Sequence, residues 1–259
     1  MKIKYCLVLT LAICLASCKT DKNTNTTDTD SSSQPSKLKI TPIEHATMVL
    51  EYNGKTIYVD PAGGKEAFAD FKKADFVLIT DIHSDHTHLN TIESLDLKKA
   101  KIIAPEAVSE MFPKGIRSRT ITMVNGVKED FGNFTLETIP MYNITEAAKK
   151  FHPKGRGNGY VLTFGKQRIY ISGDTEDTPE MRRLQNIDKA FVCMNLPYTM
   201  TVKNAADAVL EFKPKQVYPY HYRGTDGYSD VEKFKSIINE KTKSIEVIQL
   251  DWYPNDNKK

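Results

Sequence analysis

The stretch from Phe76 to His88, FVLITDIHSDHTH, constrains this chain more than any other. Phe76, Val77, Leu78 and Ile79 form an apolar run of strand formers, the pattern of a buried strand. Thr80 ends the run, and Asp81, His83, Asp85, His86 and His88 then fall within eight residues. Imidazole and carboxylate are ligands for zinc and similar divalent cations. Ligands gathered just past the C-terminal end of a buried strand lie where α/β folds build sites. Taken alone, the stretch also fits a polar strand-to-helix loop that binds nothing.

The rest of the body reads as alternating strands and helices. Residues 38–43, 46–52 and 55–59 read as strands, with Asn53-Gly54 as a tight hairpin turn. Further strands are expected at 101–104, 120–124, 134–139, 160–164, 168–172, 190–194, 216–220 and 245–249. Asn125-Gly126 reads as the turn between the second and third of these. Helices are expected at 89–95, from Pro105, from Thr178-Pro179 and from Thr201 to Phe212. A further, final helix is expected to open at Ser229-Asp230-Val231-Glu232, a capping-box pattern. The alternation implies a layered α/β fold. Of 259 residues, 40% are hydrophobic and 27% charged, as in an ordinary globular protein. A net charge of +3 is too small to argue for nucleic acid.

The N-terminus carries its own signal. Lys2 and Lys4 precede an apolar run over 5–16, too short to span a bilayer. It ends in Leu15-Ala16-Ser17-Cys18, which looks like a bacterial lipobox; cleavage there would leave Cys18 as a lipid-modified N-terminus. An ordinary signal peptide with an incidental cysteine is the alternative. Residues 18–37 hold no large apolar side chain, so they read as a flexible tether from Cys18. The expected layout is a leader at 1–17, the tether at 18–37 and one domain at 38–255, lipid-anchored with its soluble part in the periplasm or at the cell surface. Cys193 is the body's single thiol and sits in an apolar run, as a core residue would.

Asp81-Ile82-His83-Ser84-Asp85-His86 resembles the His-x-His-x-Asp-His signature of the metallo-β-lactamase superfamily at every position but the first. Other segments resemble that superfamily in chain order: His45-Ala46, Asp60 at a strand end, Tyr142-Asn143, His152-Pro153-Lys154-Gly155, Gly173-Asp174 and Pro219-Tyr220-His221-Tyr222. The order is most similar to the ascorbate-lactonase-like branch. The resemblance implies an α/β four-layer αββα sandwich holding two divalent metal ions, most simply zinc. His83, His152 and Asp174 would hold one, with Asp81 standing where the family has His. Asp85, His86, His221 and the shared Asp174 would hold the other. A hydroxide between the cations would be the nucleophile, with Asp85 orienting it or passing its proton.

Around this set, Asp60 either supports the metal site or is a turn residue before Pro61. His45 either touches substrate or is structural. Asn143, Asn195 and Tyr222 are further candidates for support or substrate contact. Lys154 and Arg156 either favour an anionic substrate or are solvated loop charges. Asp81 adds a negative charge. Two cations bring about +4, which three carboxylates and a hydroxide would cancel, where the usual set leaves about +1. The expectation is a weaker Lewis acid that tolerates manganese or iron, or else an Asp81 that swings away and leaves one metal. The expected activity is hydrolysis of a lactone, ester or similar small molecule. A phosphodiesterase acting on lipid or nucleotide and a non-catalytic metal-binding lipoprotein are the alternatives.

Overall fold

The computed structural model describes residues 38–254 and 256. The leader, Cys18 and the tether lie outside the described residues. In chain order the strands are β1 (Lys39–Glu44), β2 (Thr47–Tyr52), β3 (Lys55–Val59), β4 (Phe76–Leu78), β5 (Lys101–Ala104), β6 (Thr120–Thr122), β7 (Lys128–Asp130) and β8 (Thr135–Met141). Then follow β9 (Gly157–Phe164), β10 (Gln167–Ile171), β11 (Lys189–Cys193), β12 (Gln216–Tyr220), the small hairpin β13 (Arg223–Gly224) and β14 (Gly227–Tyr228), and β15 (Glu246–Val247). The helices are α1 (Leu89–Ser94), α2 (Glu106–Met111), α3 (Lys114–Arg117), α4 (Pro179–Arg182), α5 (Val202–Phe212) and α6 (Val231–Lys241).

Strands β1 to β6 form one sheet in that order. The other sheet runs β15-β12-β11-β10-β9-β8-β7. Side-chain alternation gives each strand two packed faces. On the first sheet Met48, Leu50, Ile57, Val59, Phe76 and Leu78 join the large core shared with the second sheet. Val49, Tyr58, Val77, Ile79 and Ile102 point the other way, onto Phe68, Ile92, Val108 and Phe112 from the helical layer. Tyr52 of β2 meets Phe164 of β9 and Phe76 of β4 meets Phe134 beside β8 across the inter-sheet core, whereas Tyr170 of β10 meets Phe212 of α5 on the far side. The layers are therefore helix, sheet, sheet, helix, the sandwich expected from the resemblance.

Strand β4 is apolar throughout because both its faces are covered, which is the pattern its sequence carried. Thr201 caps α5 by accepting a hydrogen bond from the Asn204 amide. Some details differ from the sequence reading. Asn125-Gly126 turns as expected, but it joins β6 and β7, strands of different sheets. The strand it enters, β7, was missed because Lys128, Glu129 and Asp130 are all exposed and carry no apolar alternation. Asp230, not Ser229, caps α6, accepting from the Lys233 amide, while the Ser229 hydroxyl donates to the Met194 carbonyl. Pro105 stands one residue before α2. The last strand shortens to two residues, and the β13–β14 hairpin was not anticipated.

The start of β9 stitches the two sheets beside the end of β4. The Asn158 amide donates to the Thr80 carbonyl at 3.0 Å, and the Tyr160 hydroxyl donates to the Ile79 carbonyl at 2.7 Å. Tyr160 is fully buried, so removing its hydroxyl strands that carbonyl. Tyr160→Phe should cost about 1–2 kcal/mol in urea denaturation; an unchanged midpoint would show that the bond carries no weight.

Candidate metal centre

Strands β3 to β6 run parallel to one another, as do β10, β11 and β12. Their C-terminal ends open on one rim of the sandwich, where α/β sheets place ligands. Asp60 follows β3, the 81–88 stretch follows β4, and the loop carrying Asn143 and His152 follows β8. Asp174 follows β10, Asn195 follows β11 and His221 follows β12. Three of the residues at this rim are non-glycines in the left-handed region: His45, Asp60 and His221, at φ of 50°, 44° and 45°. Such conformations cost on the order of 1–3 kcal/mol each and persist where the surroundings over-determine them.

Asp60 is fully buried and fully used. Its Oδ1 accepts from the Thr80 amide at 2.7 Å, and its Oδ2 accepts from the Thr80 hydroxyl at 2.6 Å. Oδ2 also lies 2.9 Å from His86 Nδ1. With Nδ1–H donating to Asp60, His86 turns a bare Nε2 toward the rim. That atom lies 3.2 Å from His221 Nε2 and 3.5 Å from Asp174 Oδ2. His221 Nε2 is in turn 3.3 Å from both Asp85 Oδ2 and Asp174 Oδ1. Asp85, His86 and His221 form one group whose ligand atoms lie within 4.8 Å of one another.

Asp81, His83 and His152 form a second such group. His83 Nδ1 is 2.6 Å from Asp81 Oδ2, and His152 Nε2 is 3.9 Å from Asp81 Oδ2 and 3.3 Å from Asp174 Oδ2. Asp174 thus touches both groups. The ring of His152 is held from behind, its Nδ1 lying 3.1 Å from the Tyr198 carbonyl. Assigning the proton to Nδ1 leaves Nε2 free for the rim. Asn143 Nδ2 ties the same loop together, donating to the Tyr198 and Ala148 carbonyls. Glu176 clamps the loop's start through the Ile144 and Thr145 amides at 2.6 and 2.7 Å.

The field at the rim suits cations. Burial works against charging His86, but the carboxylates of Asp174, Asp60 and Asp85 outweigh it and raise its pKa well above the usual imidazole value. Burial likewise opposes ionisation of Asp174, and the His221 and His86 charges overcome it, holding it well below the carboxylate range. A cluster that pulls so strongly on a proton pulls on a metal ion for the same reason. His152 Nε2 and Asp174 Oδ1 are buried with no hydrogen-bond partner among the described residues. Buried ligand atoms without a partner, beside two groups whose ligand atoms lie within 4.8 Å of one another, fit the binding of divalent cations.

Above the two groups lies a cavity of about 400 Å³, lined by His83, Ser84, Asp85, Phe151, His152, Asp174, Asn195 and Tyr198. Asn195 Nδ2 lies 3.3 Å from Asp174 Oδ2, and its Oδ1 accepts from the Thr199 hydroxyl at 2.6 Å. Phe151 and Tyr198 pack edge to face at 5.0 Å. Both rings, and the Tyr198 carbonyl, were missed in the sequence, because an isolated aromatic in a loop carries no periodicity to mark it.

Other candidates stand elsewhere. Lys154 is committed to Glu180 at 2.9 Å and lies over the Tyr142 ring, and it does not line the cavity. Arg156 is committed to Asp81. The charge argument for an anionic substrate therefore loses its support. Tyr222 packs on Tyr228 and Tyr253, away from the cavity. His45 packs its ring edge against His221 at 5.1 Å and bonds to Arg223 and Tyr253; burial, then the charges of His221 and Arg223, pull its pKa down to about 4. His88 leaves the cluster and caps α1. Cys193 is buried, and burial and the Asp174 charge push its thiol up to about 12, so it is inert at neutral pH.

Comparison with known proteins agrees with this architecture. Residues 39–221 match the β-lactamase superfamily domain. A UPF0173 metal-dependent hydrolase of Pyrococcus abyssi is 31% identical over 80% of this chain and 95% of its own length; one from Bacillus pumilus is also 31% identical, over 71% and 86%. The crystal structure of a Parabacteroides distasonis protein described as a metal-dependent hydrolase superposes with a TM-score of 0.74 at 38% identity, covering 83% of this chain and 94% of that one. The metallo hydrolase Igni18 of Ignicoccus hospitalis shares the fold at a TM-score of 0.69 and 21% identity, over 82% and 94%. With its layered sheets, its rim of imidazoles and carboxylates and these relatives, the chain belongs to the β-lactamase superfamily, in its UPF0173 family of metal-dependent hydrolases.

Proposed function

We propose that this protein is a two-metal hydrolase of neutral lactones or esters, held at a bacterial membrane surface through a lipid on Cys18. The reading rests above all on two three-residue donor groups joined by Asp174 at the floor of a cavity that no lysine or arginine lines among the described residues. Asp81, His83 and His152 would hold one ion, and Asp85, His86 and His221 the other, with Asp174 shared. When bound, such ions polarise a carbonyl and bring a water's pKa to roughly 7.

The chain's own groups supply the rest. Asp85 is the most exposed carboxylate of the set and lines the cavity, so its oxygen away from His221 can orient an attacking water and take its proton. Asn195 Nδ2 holds Asp174 in place. The Phe151–Tyr198 pair offers an apolar wall for the part of the substrate that does not react. The aromatic wall, with no lysine or arginine among the described lining residues, favours the carboxylic ester or lactone over a phosphodiester, whose charge the ions alone would meet. The lipobox-like Leu15-Ala16-Ser17-Cys18 and the polar tether carry the membrane reading. No described helix is long and apolar enough to cross a membrane.

A panel of chromogenic lactones, carboxylic esters and phosphodiesters, assayed with the zinc-loaded protein, tests the activity. Lactone or ester turnover should exceed phosphodiester turnover by at least about tenfold in kcat/KM. The reverse order would assign a phosphodiesterase, and no turnover with metal bound would favour a binding role. Asp60→Asn should weaken zinc binding by ~10–100-fold, read by chelator competition, because it frees the His86 ring; unchanged affinity would make Asp60 a turn residue only. Cys18→Ser should move the protein from the membrane to the soluble fraction of its host, and an unchanged distribution would refute the anchor.

A further inference from the structure

Asp81 is the place where this chain departs from its superfamily, and the structure surrounds it in a way its sequence neighbours do not foretell. The side chain is fully buried. A carboxylate removed from water needs a compensating charge or several hydrogen bonds. Its partner comes from 75 residues further on, across the sandwich rim. Arg156 Nε and one terminal nitrogen lie 3.2 and 3.1 Å from Asp81 Oδ1, and the same terminal nitrogen lies 3.1 Å from Oδ2. That nitrogen also donates to the Phe151 carbonyl at 2.5 Å. The guanidinium side chain is itself only 17% exposed. Neither member of this pair is a solvated surface charge.

The two oxygens of Asp81 are unequally used. Oδ1 takes two of the three guanidinium contacts. Oδ2 faces the imidazoles, 2.6 Å from His83 Nδ1 and 3.9 Å from His152 Nε2. Arg156 is joined to His152 by a four-residue step in one loop, so the residue that offers a donor atom and the residue that neutralises Asp81 move together.

We infer that Asp81 and Arg156 form a single neutral ligand unit that stands in for an imidazole: Oδ2 is offered to the metal while the guanidinium cancels the carboxylate's charge from behind. This deepens the two-metal reading above and rests on it. The charge count supports it. Asp81, Asp85 and Asp174 bring −3, and Arg156 returns the donor set to −2, the value that Asp85 and Asp174 give when an imidazole fills the first position. The weaker Lewis acid expected from Asp81 alone follows only if Arg156 is left out of the count. Arg156 is then a positioning and charge-balancing residue, and it does not meet substrate.

The inference predicts that the two positions are coupled. Asp81→His on its own leaves a largely buried guanidinium facing two cations with no carboxylate between. Whole-chain wild type, Asp81→His, Arg156→Gln and the double variant are compared with Zn²⁺ alone as the probe. Stoichiometry and affinity are read by chelator competition, and the visible spectrum is read after Co²⁺ substitution. Asp81→His should lose affinity at one of its two sites by ~10–100-fold, and adding Arg156→Gln should restore two zinc ions to within about threefold of wild type. Asp81→Asn, which keeps the shape and so guards against misfolding, should lose zinc at the same site, and Arg156→Gln should return part of it.

Equal zinc binding by Asp81→His and the double variant would overturn the coupling. An Asp81→Ala variant that keeps both ions at wild-type affinity would overturn the ligand role. In both cases the two-metal reading stands. Wild-type protein that takes up no zinc would instead sink that reading and this inference together.

Discussion

The rim depends on one buried carboxylate. Asp60 accepts three hydrogen bonds, from the Thr80 amide, the Thr80 hydroxyl and His86 Nδ1, with no water-exposed atom. These bonds tie the end of β3 to the end of β4 and settle which nitrogen of His86 faces outward. Burial alone would push the Asp60 pKa up, and the His86 charge and these donors oppose that shift. A left-handed backbone at Asp60 is the cost of turning its side chain inward at the strand's end. Without this knot the His86 ring would lose the carboxylate that fixes its Nδ1.

The second sheet repeats the same logic with other parts. His152 is oriented by a backbone carbonyl where His86 is oriented by a carboxylate. The carbonyl belongs to Tyr198, whose ring lines the cavity. One short segment therefore sets both a donor ring and the wall that a substrate meets. Glu176 and Asn143 hold the intervening loop through hydrogen bonds to the backbone, and the Phe151–Tyr198 contact packs beside His152.

Electrostatic compensation in this protein is long-range in sequence. The chain introduces a carboxylate at 81 and a guanidinium at 156, and each would be costly to bury without the other. Lys154, two residues from Arg156, takes the opposite course and pairs with Glu180 at the surface. Two cations in one loop thus have different fates, and their spacing from His152 does not distinguish them. Only the direction in which the loop turns its side chains does so.

Local pattern carried much of the architecture. The apolar run at β4, the hairpin at Asn53-Gly54 and the cap at Thr201 were legible because strand burial, tight turns and helix caps depend on neighbouring residues, and the side chains at 83, 86, 152, 174 and 221 that meet at the rim stood out by type and order. Edge strand β7 was not legible, because an exposed edge has no buried face to imprint a period. The sequence by itself determined the layered class and which imidazoles and carboxylates are available to the rim. The tertiary structure alone decided that Asp174 touches both groups, that Arg156 faces Asp81 and not solvent, and that Phe151 and Tyr198 wall the cavity. Those relations join residues tens of positions apart, and the distances between them are set by how two sheets pack, which no local pattern encodes.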